Sequence, residues 1–368
     1  MLECIRQGQI GGGESHLLSL VEHLDKTAFE PVVLSFTEGP MVDRLQQLGI
    51  KVHVIYTEKP FDVTKWGSVK RLMKQEQIDI VHAHGTRANS NVLWAARSLK
   101  IPVIYTIHGW SFHQDQPAVI RNLRIYGERY LTQNSHVNIS VSDSNKQSGR
   151  RYLRNFESVV INNGIDQRKF SPGKSFKNIR KELGIAEDTL LVLFIARFTR
   201  QKQPLTLIKA FLQAVAAVPN MHLLMVGDGD EKEAALELVK ELDTNNKISC
   251  TPFRQDVPDL LAAADIFVLP SLWEGLSIGL LEAMAMGKAI IASDVDGTKE
   301  VIQDQQNGVL VSPGNIEALT DALVLLGKND VLRQEVQQKA LEMVQENFNV
   351  ANMTTQIENI YKSIFHGI

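Results

Sequence analysis

The chain predicts an α/β fold made of two doubly wound, parallel-sheet, Rossmann-like domains facing a cleft, and three observations support it. Short β-branched runs alternate with longer amphipathic segments from end to end, the pattern of repeated βαβ units with right-handed crossovers. At 368 residues the chain is too long for one typical core, and two domains of roughly 170–180 residues are the default. A polar break, NGIDQRKFSPGKS at 163–175, divides the alternation into two comparable halves and reads as the linker. Ligands of such sheets bind at the C-terminal ends of the strands, so the cleft is the expected active site.

The strand-like runs follow in order. EPVVLSF, KVHVIY, DIVHAH, PVIYTIH, VNISVS and VVINN fill the first half, then LLVLFIAR, HLLMVGDG, KISCTP, DIFVLPS, AIIASD and GVLVS the second. Helix-like stretches lie between them, for example 16–24, 91–99, 206–218, 231–242 and 257–264, and the tail 350–365 reads as one more helix. The first strand is odd, because only Leu2–Ile5 precede the polar residues 6–9. Either residues are missing upstream or an edge of the first sheet is short.

Composition narrows the function. With 44% hydrophobic and 22% charged residues and a net charge of −3, the chain is neither disordered nor fibrous and is no general nucleic-acid binder. No apolar run reaches the ~18–20 residues that span a bilayer. The start lacks the pattern of a secretory signal. Only Cys4 and Cys250 occur, so neither a disulfide framework nor a cysteine zinc site is expected, and a cytoplasmic location is the default.

The most informative stretch is SLWEGLSIGLLEAMA, 271–285. It follows a buried-looking strand, and the residues after Gly275 suit a buried helix. Glu274 therefore falls in a strand-to-helix turn and Glu282 about two turns on, roughly 10–12 Å apart at ~1.5 Å per residue. That is too far to share a proton or a metal. It suits two acceptors gripping two ends of one long ligand, with a helix N-terminus between them that favours a phosphate. A sugar nucleotide has this form.

Other motifs lie at strand ends. In ARFTRQKQP, Arg197, Arg200 and Lys202 are either solvated surface or, set with Glu274 and Glu282, a clamp on a diphosphate. In IGGGESH, Gly12 and Gly13 allow close approach to a phosphate or sugar, or merely form a turn; the loop is not GxGxxG. Gly227 and Gly229 of VGDGDE, and Phe253 and Arg254 beyond the next strand, could border a base or phosphate, or simply build turns. His108 ends a strand beside Gly109 and either faces the cleft or is structural. His82, His84 and His113 raise a metal site, but no carboxylate or His-x3-His pair completes a set. The segment 121–154 carries Arg121, Arg124, Arg129, Lys146, Arg150, Arg151 and Arg154 with interleaved Tyr126, Tyr130 and Tyr152. It reads as a solvated helix face or as a surface for anionic lipid heads or an anionic acceptor.

Together GGGESH, ARFTRQK, GDGDE and PSLWEGLSIGLLEAMAMGKAIIASDVDGTKEVI resemble glycosyltransferase family 4, retaining enzymes of the GT-B fold, over nearly the whole chain. The resemblance implies that Arg197 and Lys202 hold the donor diphosphate. Glu274 would lie at the donor sugar hydroxyls and Glu282 at the ribose hydroxyls. Gly275, Leu276 and Ser277 would meet the phosphates through backbone N–H groups, with Gly12 and Gly13 closing on the diphosphate and His108 near the transferred sugar. It implies no metal and no other cofactor, and a tail helix that crosses back to the first domain. The domains expected are then 1–168 with 350–368, on the acceptor side, and 169–349, binding the nucleotide sugar. Lys288 departs from the proline common after Gly287, which touches only the turn.

The expected reaction is transfer of a sugar from a UDP-sugar, favoured over GDP-mannose, to a hydroxyl of a glycan or lipid-linked acceptor. Polysaccharide assembly is the expected context, in the cytoplasm or peripherally at the inner face of the membrane. The competing readings are a sugar-nucleotide epimerase, a two-lobe solute-binding protein and, for lack of GxGxxG, a weaker nicotinamide dehydrogenase.

Overall fold

The computed structural model describes residues 1–113, 116–243 and 245–366. The chain divides into two compact units, Met1–Gly164 with Val350–Ile368, and Ile165–Asn349. Residues 367 and 368 of the expected tail segment lie outside the described residues.

In the first unit the order is β1 (Leu2–Ile5), α1 (Gly12–His23), β2 (Val32–Ser35), α2 (Pro40–Gln47), β3 (Lys51–Val54), α3 (Val63–Gln75), β4 (Val81–His84), α4 (Thr86–Ser98), β5 (Val103–Ile107), α5 (Ala118–Asn134), β6 (Val137–Ser140), α6 (Asp143–Tyr152) and β7 (Val159–Val160). The sheet runs β3-β2-β1-β4-β5-β6-β7, with every pair parallel. β1 is therefore central and not a short edge. Leu2 pairs with Val32 on one side and Val81 on the other. Four residues suffice because all are buried and both flanks are hydrogen-bonded. Leu2 and Cys4 join the core on one face, and Ile5 packs with Leu17, Val21 and Met41 on the other.

The second unit continues with α7 (Ile179–Leu183), β8 (Leu190–Ile195), a 3-10 turn (Arg200–Lys202), α8 (Pro204–Ala217), β9 (Met221–Val226), α9 (Lys232–Leu242), β10 (Ile248–Thr251), α10 (Val257–Ala263), β11 (Ile266–Leu269), α11 (Ile278–Ala285), β12 (Ala289–Ser293), α12 (Asp296–Lys299), β13 (Val309–Val311), α13 (Ile316–Lys328) and α14 (Asp330–Asn347). Its sheet, β10-β9-β8-β11-β12-β13, is again all parallel. Runs such as Leu191–Leu193–Phe194 and Ile290–Ile291 are buried on both faces, as parallel sheets covered by helices require.

In each sheet the strand order reverses once, between β1 and β4 and between β8 and β11. Those switch points leave a crevice beyond the carboxyl ends of the strands, the usual ligand position.

The tail helix α15 (Val350–His366) packs on the first unit. Val350, Met353, Ile357 and Tyr361, spaced three and four apart, are buried with Leu20, Leu24, Ile104, Ile139 and Ile161. Phe29 meets the Tyr361 ring edge-on at 5.5 Å.

Candidate active site

The switch point of the second sheet brings the main sequence candidates together. After β8 the chain makes a 3-10 turn ending at Lys202, and after β11 it turns through Trp273 and Glu274. Lys202 Nζ donates to Glu274 Oε1, with side chains 15% and 8% exposed. Two more bonds tie the loops: Gln201 Nε2 donates to the Trp273 carbonyl at 2.7 Å, and Leu272 N to the Gln201 carbonyl at 2.8 Å. Arg197 is exposed on the same loop.

Gly275, Leu276 and Ser277 then lead into α11. Ser277 is its N-cap, its Oγ accepting from Leu280 N at 3.4 Å. Leu276 is buried and anchors the turn. A Cβ on Gly297, at the start of α12, would lie 1.9 Å from the Gly275 carbonyl oxygen, so only glycine lets α12 support this turn. That glycine was not singled out in the sequence; it stands in DVDGTKE, where nothing local marks a contact with Gly275.

Glu282 is the fifth residue of α11, about one turn in, and is half-buried. Burial pushes its carboxyl up from 4.5 to about 7, and Lys169 opposes this only in part. Lys288, after the helix, donates to the Ala264 carbonyl at 2.9 Å and so holds the turn.

Gly227 and Gly229 sit at φ +142° and +156°. Cβ atoms there would meet the Ala196 and Phe198 carbonyl oxygens at 2.1 and 2.3 Å. The β9 loop therefore presses on the loop that carries Arg197. Lys232 braces it from behind, donating to the Gly227 and Thr251 carbonyls at 2.8 Å each, above the Phe198 ring. Phe253 is partly exposed, and its N–H donates to Asp228 Oδ2 at 2.7 Å. Arg254, the other candidate beyond β10, is held by carboxylates. Its guanidinium bonds Asp256 and Glu182, and these carboxylates raise its pKa further.

In the first unit α1 begins at Gly12, four residues earlier than the periodicity suggested, because Gly11 serves as N-cap. Gly12 and Gly13 thus lie in the first helical turn, where N–H groups have no partner within the helix. A Cβ on Gly13 would sit 3.4 Å from the His108 ring. His108, just past β5, is half-buried among imidazoles. His16 meets it at 4.8 Å between centroids, and the His84 ring lies edge to edge with it, 5.4 Å between centroids and 19° between planes. His84 Nδ1 lies 3.2 Å from His108 Nε2, and His84 Nε2 lies 2.8 Å from Glu3 Oε2. Glu3 Oε1 accepts from Tyr361 at 2.9 Å, and the Tyr361 oxygen lies 2.6 Å from His82 Nδ1.

Burial and the neighbouring imidazoles hold His108 well below its ordinary pKa. The same causes hold His84 at about 4 and His16 at about 3. Burial opposes the charge on Glu3, but His82 and His84 overcome it and keep its carboxyl far below the usual range.

Among the described residues, His16, His84 and His108 form one group whose potential ligand atoms lie within 4.8 Å of one another, and Glu3, His82 and His84 form another. His113, weighed with His82 and His84 in the sequence, belongs to neither; His16 takes that place.

On α5, Val119, Ile120, Leu123, Tyr126 and Tyr130 are exposed. Residues 119, 123, 126 and 130 are spaced four, three and four apart, so they share one face. Arg121, Arg124 and Arg129 lie among them, with Arg124 donating to the Ser111 carbonyl at 2.7 Å. Glu128, the acid of the helix, points inward and accepts from Thr86, Tyr105 and Ser111.

Comparison with known proteins bears on both units. A family model described as "Glycosyltransferase Family 4" matches residues 10–169, and one described as "Glycosyl transferases group 1" matches 175–343. An Escherichia coli relative, UDP-Gal:alpha-D-GlcNAc-diphosphoundecaprenol alpha-1,3-galactosyltransferase, is 26% identical over 80% of this chain and 78% of its own. The Bacillus anthracis N-acetyl-alpha-D-glucosaminyl L-malate synthase is 27% identical over 86% and 83%. Anabaena Alr3699/HepE, solved with UDP-glucose, superposes with a TM-score of 0.87 at 22% identity, covering 98% of this chain and 99% of that one. Sucrose-phosphate synthase from Thermosynechococcus elongatus gives 0.83 at 20% identity, covering 100% and 99%. At these identities the structural likeness speaks to the fold, which is GT-B.

Proposed function

This chain belongs to glycosyltransferase family 4 and is a glycosyltransferase; from that premise we propose that it is a retaining enzyme using a UDP-sugar and needing no divalent metal. The observation that carries the reading is the Lys202–Glu274 pair at the switch point of the second sheet, beside the N-terminus of α11. Arg197 and Lys202 neutralise the donor diphosphate, as a metal would elsewhere. The backbone of Gly275, Leu276 and Ser277 meets phosphate oxygens at the helix end. Glu274 accepts from the sugar hydroxyls and Glu282 from the ribose. Gly227, Gly229 and Phe253 border the nucleotide, Gly12 and Gly13 contact the diphosphate, and His108 contacts the transferred sugar.

In the reaction the bond between the anomeric carbon and the diphosphate oxygen breaks. The acceptor oxygen bonds that carbon on the same face, and its proton passes to the leaving phosphate, so that UDP departs. A uridine donor is supported by the relatives, since HepE was solved with UDP-glucose and the Escherichia coli relative is named for UDP-Gal. That relative's diphosphoundecaprenol acceptor supports a lipid-linked or glycan acceptor and a role in polysaccharide assembly. No described helix is long and apolar enough to cross a membrane. The apolar face of α5 and its arginines support peripheral contact with an anionic bilayer. Neither an epimerase nor a solute-binding protein is favoured by the family matches.

The test is turnover of UDP-sugars by purified protein. Glu274→Ala and Lys202→Ala should each lower it by roughly 10²–10³-fold, the scale of losing one pre-organised charge-stabilising group, with unchanged circular dichroism. Turnover near wild type in either variant removes that residue from the mechanism.

A further inference from the structure

His108 is the last member of a buried hydrogen-bond chain that begins on the tail helix. We infer that Glu3 and His84 are positioning residues that fix His108 as its Nε2–H tautomer, leaving Nδ1 as an acceptor for a hydroxyl of the transferred sugar. The sugar contact rests on the function proposed above; the tautomer does not.

The direction of the chain follows from its one member that can only accept. A carboxylate has no proton to give. Glu3 Oε1 therefore takes the Tyr361 O–H at 2.9 Å, and Oε2 takes the N–H of His84 Nε2 at 2.8 Å. A neutral imidazole carries one N–H, so His84 Nδ1 is left with a lone pair. At 3.2 Å from it stands His108 Nε2, which must then be the donor. His108 Nδ1 is in turn the unprotonated nitrogen.

The other branch agrees. With its proton on Glu3, the Tyr361 oxygen accepts from His82 Nδ1 at 2.6 Å, and His82 Nε2 accepts from Thr106 Oγ1 at 2.7 Å. His16 supplies no competing donor to His84, because its Nδ1 is bonded to Asn163 Oδ1 at 2.9 Å.

Glu3, His82 and Tyr361 are fully buried and His84 is 1% exposed. A carboxylate in the central strand of a sheet is costly where an apolar residue would pack. Its presence at Glu3 makes sense as the fixed pole that orients two imidazoles in series, as outer carboxylates orient ligating or catalytic histidines elsewhere. The fold supplies the geometry: Glu3 pairs with His82 across β1 and β4, and Ile5 with His84. β5 then delivers His108 one residue past the sheet.

The experiment is long-range proton–nitrogen NMR on the full chain labelled with 15N-histidine, with His108 assigned from His108→Asn, alongside steady-state turnover. Wild-type His108 is expected to show a protonated Nε2 and an unprotonated Nδ1. In Glu3→Gln the new amide NH₂ can face His84, reversing or mixing both tautomers, and kcat should fall tenfold or more with the acceptor KM within twofold. His84→Asn retains an oxygen acceptor near the Nδ1 position and should keep several-fold more activity than His84→Ala. This pair, with the wild-type spectrum, decides the matter even where Glu3→Gln does not fold. A wild-type His108 protonated on Nδ1 overturns the inference, as do unchanged signals and turnover in folded Glu3→Gln, or equal losses in His84→Asn and His84→Ala. Full activity in His108→Ala overturns the sugar contact instead and leaves the tautomer result standing.

Discussion

In the role proposed for it at the ribose, Glu282 makes donor binding depend on its protonation state. A ribose hydroxyl donates to an ionised carboxylate better than to a neutral acid. Without ligand the Glu282 carboxyl is raised from 4.5 to about 7, chiefly by burial, so at pH 6 most of it is protonated. The ligand favours the charged form, and apparent affinity should therefore strengthen as pH rises through about 7 and level off above. Below that value it should weaken by up to tenfold per unit. Titration calorimetry with a UDP-sugar, whose diphosphate does not titrate there, checks the slope; Glu282→Gln should abolish it. A flat profile in the wild type contradicts the ribose role. The places of Arg197 and Lys202 after β8, and of Glu274 and Glu282 around the start of α11, were legible in the sequence because short spacing within one loop or helix fixes where residues stand. The Glu3–His84–His108 chain was not, since its members come from β1, β4, the end of β5 and, through Tyr361, a helix 358 residues from Glu3. No local pattern announces such a meeting.

At the scale of elements, every strand-like run became a strand, because buried parallel strands are written as short β-branched stretches. Helix starts were less legible. α1 starts at Gly12 and not at residue 16, because glycines carry no periodic signal even where they form a first turn. Of the two readings of the short first strand, the short sheet edge is overturned, since length in sequence does not reveal how many neighbours a strand has. α5 is the element with an exposed apolar face. A face holding Val119, Leu123, Tyr126 and Tyr130 beside arginines fits the interfacial region of an anionic bilayer. Leu123→Asp combined with Tyr126→Ser should reduce co-sedimentation with phosphatidylglycerol vesicles by several-fold while leaving turnover of the UDP-sugar in solution unchanged. Equal sedimentation of variant and wild type removes α5 as the contact.

For the whole molecule, the tail completes the first unit, whose other residues end at Gly164. Val350, Met353, Ile357 and Tyr361 are each at most 3% exposed, and burial of such side chains is worth about 1.5–3 kcal/mol apiece. Their sum is comparable with the ~5–15 kcal/mol that stabilises a typical domain. A chain ending at Asn349 should therefore lose cooperative unfolding of the first unit in a thermal scan, while the unit 165–349 retains its transition. An unaltered scan would show that α15 adds little.

The central claim is that this glycosyltransferase breaks a UDP-sugar with retention and without metal. Proton NMR of the protein in EDTA with UDP-glucose, UDP-galactose, UDP-N-acetylglucosamine and, for contrast, GDP-mannose tests it most directly. One UDP-sugar should be consumed, with UDP and an α-configured product appearing first. Consumption of GDP-mannose alone, a β-configured first product, or turnover that waits for added magnesium or manganese would contradict the account.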